Sequence, residues 1–265
     1  MVRNLNQNRV LWLIIALLAL VASVTGVISP GIYARVVVPE IMPGVLSQDL
    51  MTILASIIIL ALLARIHENE AVKQLIILGI VAYLFYAYGI YVIERVYNAL
   101  YLIYMAVFGL AFYSKITTVA GIRSEARSLV RLPKGIRITA VVLSLLQPIV
   151  FYPLWISMLL PLMQTGQQTD SMYSIFIIDL CFIMPAFIIV AARTIRQNGL
   201  GLLLTPAMFV LGFTLLFPVG MGELLKPLVY QLPMDTGGLA LYLTLSAVFF
   251  SLAVACLRNL RFGEV

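Results

Sequence analysis

The sequence predicts an all-α membrane protein, a polytopic bundle of eight transmembrane helices. Of its 265 residues, 63% are apolar and only 11% are charged, whereas a soluble domain is about 45–50% apolar and about 25% charged. The mean hydropathy is +1.07. The apolar residues also fall into eight stretches close to the length, about 20 residues, that crosses a hydrocarbon core. This composition excludes both a water-soluble globule and a disordered chain.

The predicted spans fill most of the chain, so residues 1–265 form a single transmembrane domain. The first apolar run is longer than the core of a signal peptide, which has about 7–15 residues, and it is predicted to be a retained span. Spans three and four are separated by a turn at residues 93–96, because one helix from 71 to 113 would be about 60 Å long. The spans are predicted at residues 10–28, 50–64, 71–93, 96–113, 138–162, 173–192, 200–221 and 237–257.

The basic residues predict the orientation. With the N-terminus inside, 14 of the 17 Lys and Arg residues fall in cytoplasmic segments, in agreement with the positive-inside rule. Both termini are therefore predicted to be cytoplasmic, with the protein in the plasma (inner) membrane. The net charge of +6 is then explained by topology and by the anionic lipid surface. The predicted partner is therefore the lipid bilayer, and the positive charge does not require a nucleic acid.

Two similar segments suggest an internal duplication. ALYLIYMAVF (99–108) and ALYLTLSAVF (240–249) share seven of ten residues. A unit of four helices has an even number of spans, so its copy keeps the same orientation and the repeat is parallel. The predicted halves are residues 1–114 and 137–257, joined by a basic cytoplasmic loop at 115–136. Chance similarity between apolar helices is the alternative.

Ionisable groups within the spans are the first candidates for function, because they are costly there. Asp179 lies about six residues into span six from the outer face. Pro185 cannot donate to the carbonyl of Cys181, so a kink is expected beside this carboxylate. Asp179 is either a cation or hydrogen-bond site or a structural residue bonded to a neighbouring helix.

A second candidate group surrounds the turn between spans three and four. Glu94, Asn98 and Tyr101 recur at i, i+4 and i+7, which predicts one polar stripe on span four. Arg95 follows Glu94 but points to another face. Many tyrosines lie near this turn, and for these the alternative is an aromatic belt at the membrane interface.

Further candidates come from spans five and seven. Gln147 lies near the middle of span five, where Pro148 and Pro153 predict a bend, and Pro206 does so in span seven. Glu223 and Lys226, at i and i+3, belong either to the site or simply to each other. Together these groups predict an outward-facing pocket, since seven of the 11 acids are placed in or near the outer leaflet: Glu40, Asp49, Glu94, Asp170, Asp179, Glu223 and Asp235.

Two segments carry a resemblance to other proteins. ERVYNALYLIYMAVF (94–108) and YSIFIIDLCFIMPAF (173–187) resemble uncharacterised bacterial multi-pass integral membrane proteins. Those proteins combine a YN-aromatic span with a later LD-L-F-x-x-P span. The resemblance implies that Asp179 and Pro185 form a paired feature, and it assigns no activity.

Three functions remain open. The first is binding or transport of a small molecule or ion from the outer side. The second is a receptor-like sensor or accessory subunit, with a membrane-protein partner or a second copy of the chain. The third is an intramembrane enzyme acting on a lipid-linked substrate, although the sequence carries no catalytic motif. One histidine and two unclustered cysteines predict neither a metal site nor a cofactor.

Overall fold

The computed structural model describes residues 1–169 and 173–263, so Asp170 lies outside the described residues. In this part of the chain, eight helical segments are long and apolar enough to cross a membrane, which confirms the predicted bundle. Segment six (Tyr173–Ile195) contains a π turn at Asp179–Ile183 between α7 and α8. The helices are α1 (Leu5–Ile28), α2 (Met42–Leu63), α3 (Ala71–Ile93), α4 (Tyr101–Ala120), α5 (Ser124–Leu129), α6 (Lys134–Thr165), α7 (Tyr173–Ile178), α8 (Met184–Ile195), α9 (Gly199–Val229) and α10 (Thr236–Asn259).

Helices α3 and α9 form the centre of the bundle. In each of them, 67% of the residues in the most apolar stretch of 18 are buried, whereas in α4, α6 and α10 this share is 28%. Helix α3 packs on α4 and α9, while α9 also packs on α2, α8 and α10. Helix α1 packs on α2 and α4, and α6 lies outside against α8. The peripheral helices therefore present their apolar faces to the surroundings, which is the pattern expected in lipid.

One end of the bundle holds both ends of the described chain, and we call it the termini end. The backbone N–H of Arg3 donates to Gly121, and that of Arg123 donates to Met1. A short strand, β1 (Val130–Arg131), pairs antiparallel with β2 (Arg261–Phe262). The other end, which carries the connections α1–α2, α3–α4, α6–α7 and α9–α10, is called the opposite end.

Gln74 links three segments at the termini end. Its Oε1 accepts from the backbone N–H of Val2 at 3.1 Å, and its Nε2 donates to the carbonyls of His67 and Glu68. In the same connection a hydrogen bond from Lys73 lowers the pKa of Glu70 from its usual value. The three hydrogen bonds of Gln74 join the N-terminus to the loop before α3.

Helix α4 differs from the predicted span at both ends. It begins at Tyr101 instead of residue 96, because the Asn98 side chain accepts from the Leu100 N–H and forms a turn instead. It continues to Ala120, so Lys115 lies within a helix and not in the predicted loop 115–136. The Lys115 ammonium lies over the Phe85 ring of α3.

The prolines at which kinks are predicted occupy two kinds of position. Pro148 and Pro153 lie inside the continuous helix α6, and Pro206 lies inside α9. Pro185 is instead the second residue of α8, just after the π turn. The orientation of the termini and the internal repeat stay predictions.

We expect Gly79→Ala to destabilise the centre of the bundle. A Cβ at this position in α3 would lie 2.6 Å from the Val210 Cβ and 2.7 Å from the Ala207 carbonyl oxygen on α9. Because a backbone atom cannot move aside cheaply, the cost should be about 1–3 kcal/mol. Thermal unfolding of the detergent-purified protein measures it.

Gly109→Ala in α4 is the matched control, since a Cβ there meets nothing within 4 Å. This variant should unfold at the wild-type temperature or slightly above. Equal melting temperatures for the two variants would contradict the close packing of α3 on α9.

Candidate functional site

A buried carboxylate lies near the opposite end of the bundle. Asp49 is 2% exposed and follows the first residue of α2 by seven positions, about 10 Å along the helix. Its Oδ2 accepts from the Tyr33 hydroxyl at 2.8 Å, and its Oδ1 accepts from the Tyr91 hydroxyl at 3.1 Å. The carboxylate is thus held by two neutral donors from different segments.

The α1–α2 connection supplies one of these donors. Two short 3₁₀ turns, Pro30–Tyr33 and Pro39–Ile41, fold the connection back so that Tyr33 is 1% exposed. Gly26 of α1 permits this approach, because a Cβ there would lie 2.1 Å from Asp49 Oδ2. The loop therefore covers the carboxylate, as its apolar composition suggests.

Tyrosines from α3 and α4 surround the same carboxylate. The ring centroids of Tyr91 and Tyr104 are 4.9 Å apart, and Tyr88 packs against both. Asn98 donates from Nδ2 to the Tyr104 hydroxyl at 3.1 Å. We call Tyr33, Asp49, Tyr88, Tyr91, Asn98 and Tyr104 the Asp49 cluster. Asn98 is the one predicted site residue that the structure places in it.

A second buried carboxylate lies on the other side of α3. Asp179 is 7% exposed, and its Oδ2 accepts from the Trp155 Nε1–H of α6 at 2.9 Å. Tyr86 of α3 lies beside the same carboxylate. Among the described residues, neither Asp179 nor Asp49 has a basic side chain within ion-pair distance.

The π turn at Asp179 explains the pairing with Pro185. In the π register the Met184 N–H donates to the Asp179 carbonyl, so the next bond would run from residue 185 to the Leu180 carbonyl. Proline has no N–H to donate. The Tyr152 hydroxyl of α6 donates to this carbonyl instead, at 3.2 Å.

Glu94 joins two segments at the opposite end. It follows α3 directly, and its Oε1 accepts from both the N–H of Ser174, at 2.8 Å, and the hydroxyl of Ser174, at 2.6 Å. This contact holds the first turn of α7. Arg95 has φ +56° and lies 6.0 Å from the Tyr173 ring centroid. The predicted stripe of Glu94, Asn98 and Tyr101 on one helix is wrong, because α4 begins only at Tyr101.

The remaining predicted residues lie apart from both carboxylates. The Tyr101 hydroxyl donates to the Val92 carbonyl at 3.0 Å. Lys226 pairs with Glu223 at 2.6 Å, as the local alternative proposed, and Glu223 also accepts from the Asp235 N–H. Gln147 is buried, and its Oε1 has no hydrogen-bond partner among the described residues.

The structure therefore separates the predicted site into groups. Asn98 joins Asp49, Glu94 joins Ser174, Asp179 joins Trp155, and Glu223 joins Lys226. Two hollows in the described residues lie away from these groups. One, of about 440 Å³, lies between α6 and α10 at Leu143 and Ser251, and the other, of about 470 Å³, lies between α1 and α2 beside Arg9.

Sequence reasoning missed two important residues. Tyr33 lies in a proline-rich connection that has no helical periodicity to mark it as buried. The predicted loop 115–136 includes Lys115, although Phe108, Phe112 and Lys115 follow at i, i+4 and i+7 and lie on one face of α4. Its Nζ lies 3.2 Å from the centroid of the Phe85 ring and 5.9 Å from that of Phe112.

The Lys115 ammonium is incompletely compensated. Among the described residues it has no carboxylate within 4 Å. A lysine within a transmembrane helix is costly, up to about 2.5–3.5 kcal/mol at the helix centre on insertion scales. Lys115 lies five residues before the end of α4, and its cation–π contact offsets about 0.5–2 kcal/mol of the cost at its own depth.

Comparisons with protein-family models, with curated proteins and with solved structures find no match for this chain. The function must be argued from the geometry of the bundle.

We expect the Tyr152 hydroxyl and Pro185 to be energetically coupled. Tyr152→Phe leaves the Leu180 carbonyl without its donor, which should cost about 1 kcal/mol. Pro185→Ala restores a backbone N–H, so Tyr152→Phe should cost less in that background. Thermal or denaturant unfolding of the four proteins gives the coupling free energy. Additive effects would show that the hydroxyl does not replace the missing N–H.

Proposed function

We propose that this integral membrane protein binds a proton or a small cation at Asp49 and uses that binding in the transport of a small solute or ion. The observation that carries the proposal is the environment of Asp49. A carboxylate that is 2% exposed accepts hydrogen bonds from two tyrosine hydroxyls, with no basic partner in the described part of the chain.

The chemistry follows from the cost of an unpaired charge in a membrane. An isolated carboxylate at this depth must be neutralised, and ionisable groups in spans commonly mark ion pathways or proton relays. A lysine or arginine partner would neutralise it permanently. Tyrosine hydroxyls stabilise the carboxylate but leave its charge to be balanced by a proton or a cation that can exchange.

Asp179 is the second exchangeable group in the proposal. It also lies a few residues from the opposite end and is also held by a neutral donor, the Trp155 N–H. Helix α3 lies between the two carboxylates, with Tyr91 toward Asp49 and Tyr86 toward Asp179. A movement of α3 would change both environments together, which supports coupling between the two sites.

We place the protein in the plasma membrane. In the proposed orientation the opposite end lies outside the cell, and both termini lie in the cytoplasm. The distribution of Lys and Arg supports this. Asp49 and Asp179 then face the outer leaflet, and the basic connection around α5 faces the anionic inner surface.

Infrared difference spectra between acidic and alkaline buffers test the Asp49 proposal. We expect a band from a protonated, buried carboxyl that is lost in Asp49→Asn. Tyr91→Phe should shift this band, because it removes one hydrogen bond to the carboxyl group. In proteoliposomes with an internal pH dye, Asp49→Asn should abolish proton movement driven by an imposed gradient.

Glu40→Gln is the matched control, since Glu40 is an exposed acid in the same connection as Tyr33. It should leave both the band and the proton movement unchanged. A folded Asp49→Asn protein with a wild-type spectrum and wild-type flux would assign Asp49 a purely structural role.

Cysteine labelling of intact cells tests the orientation. In a background with Cys181 and Cys256 replaced by serine, Gln167→Cys lies in the exposed α6–α7 connection and Ser128→Cys lies at the termini end. A membrane-impermeant maleimide should label the first in intact cells and the second only after lysis. The reverse pattern would invert the proposed topology.

A sensor or accessory subunit is the second candidate. The observation that favours it is that Glu94, Asn98, Glu223 and Asp179 all make internal contacts that join segments. Such contacts suit a body that changes shape when a partner or ligand binds. Proton-coupled flux in proteoliposomes containing only this chain supports transport, and its absence with an intact Asp49 band favours the accessory role.

A further inference from the structure

We propose that Lys115 is the charged end of a lateral binding site for an anionic lipid of the leaflet at the termini end. The site lies between α4 and segment six, over α3, and it does not depend on the proposed role of Asp49. We call it the Lys115 cleft, and its residues are Phe85, Phe112, Lys115, Phe182, Ile189 and Arg193.

The cleft closes toward the opposite end and opens toward the termini end. At Gly89 of α3 a Cβ would lie 2.9 Å from Ile178 Cδ1 of α7 and 2.9 Å from Phe108 Cε2 of α4. The two flanking segments therefore converge there. Nearer the termini end, Phe182 is 45% exposed and Ile189 is 54% exposed, so the wall of the cleft faces the surroundings.

The floor and walls of the cleft are aromatic and apolar. The Phe85 ring lies 5.9 Å from Phe112 and 5.6 Å from Phe182, centroid to centroid. This places rings from α3, α4 and segment six around one position. Such a surface fits an acyl chain better than a polar solute, because Phe85, Phe112 and Phe182 form its floor and walls.

The direction of the Lys115 side chain distinguishes it from an ordinary interfacial lysine. Side chains on a helix tilt toward its N-terminus, and α4 runs from the opposite end to the termini end. The Lys115 side chain accordingly lies over the Phe85 ring instead of extending to the nearer membrane surface. Lysines near helix ends usually extend to the interface.

Lys115 can nevertheless reach a headgroup. It precedes the end of α4 by five residues, which is about 7 Å, and a long lysine side chain can lie along apolar surface and bring its charge to the interface. The ammonium can therefore exchange the Phe85 ring for a lipid phosphate at the interface. An unpaired cation beside an apolar cleft selects a ligand with an anionic head and an apolar chain.

A second basic group lies where the headgroup is expected. Ile189 and Arg193 follow at i and i+4 in α8, so they share one face, and Arg193 is exposed at the termini end. Along this face the chain presents an apolar side chain first and a guanidinium last. That order matches the chain and headgroup of an anionic lipid.

Native mass spectrometry of the purified full chain tests the proposal. The probes are phosphatidylglycerol and phosphatidylcholine with identical acyl chains, added to the detergent-solubilised protein. We expect wild type to retain phosphatidylglycerol in preference, and Lys115→Gln to weaken that binding about tenfold or more, as expected for loss of a charge-assisted contact. Phosphatidylcholine binding should not change.

Three further variants and one competitor make the test specific. Lys134→Gln removes an exposed lysine at the first residue of α6 and should leave binding unchanged. Lys115→Arg should retain it, while Phe182→Ala should weaken it by removing a wall of the cleft. Because these two variants preserve the charge, they keep the test decisive if Lys115→Gln fails to fold.

Two results would overturn the proposal. Equal losses in Lys115→Gln and Lys134→Gln would indicate nonspecific attraction of anionic lipid by surface charge. Displacement of phosphatidylglycerol by inorganic phosphate alone would indicate a site for a free anion with no role for the acyl chain. Neither result would bear on the infrared band of Asp49, so the two proposals fail separately.

Discussion

The structure depends on how the bundle holds carboxylates at membrane depth without cations. Water cannot donate hydrogen bonds to Asp49 and Asp179 there, so neutral groups of the protein must donate them instead. Tyr33 and Tyr91 serve Asp49, and Trp155 serves Asp179. Each donor comes from a different segment than its carboxylate, so satisfying the charge also joins α2 to α3 and α6 to segment six. The hydrogen bonds that satisfy the buried carboxylates are therefore also contacts that hold the helices together.

Helix α3 is where these requirements meet. Tyr91 turns toward Asp49. Phe85 lies under the Lys115 ammonium, and Tyr86 lies beside Asp179. Gly79 lets α9 approach, and Gly89 lets α4 and α7 approach. Small residues at such contacts are the usual means of close packing in lipid, where helices gain nothing from avoiding water.

The sequence predicted the bundle well because length and hydropathy decide which segments cross a membrane. It predicted Asp179 with Pro185, since both lie within one span, and the local pair of Glu223 with Lys226. It could not predict that Tyr33 covers Asp49, because that contact depends on how a proline-rich connection folds. Lys115 was misplaced for a related reason. A charge near a span end is read as a loop residue unless the aromatic rings that lie beside its ammonium are known.

The charged side chains at the ends of the bundle have different partners from those within it. The ion pairs found in the described residues all involve groups at or near an end, namely Glu70 with Lys73, Glu68 with Arg123, and Glu223 with Lys226. Deeper groups face hydroxyls, an indole N–H or ring faces instead. A paired charge at depth would be fixed, because separating the pair exposes two ions to a medium of low dielectric constant. A charge held by neutral groups can instead lose or gain a proton, a cation or a lipid headgroup without breaking an ion pair. Both proposals rest on this property, because the partners of Asp49 and Lys115 are neutral groups.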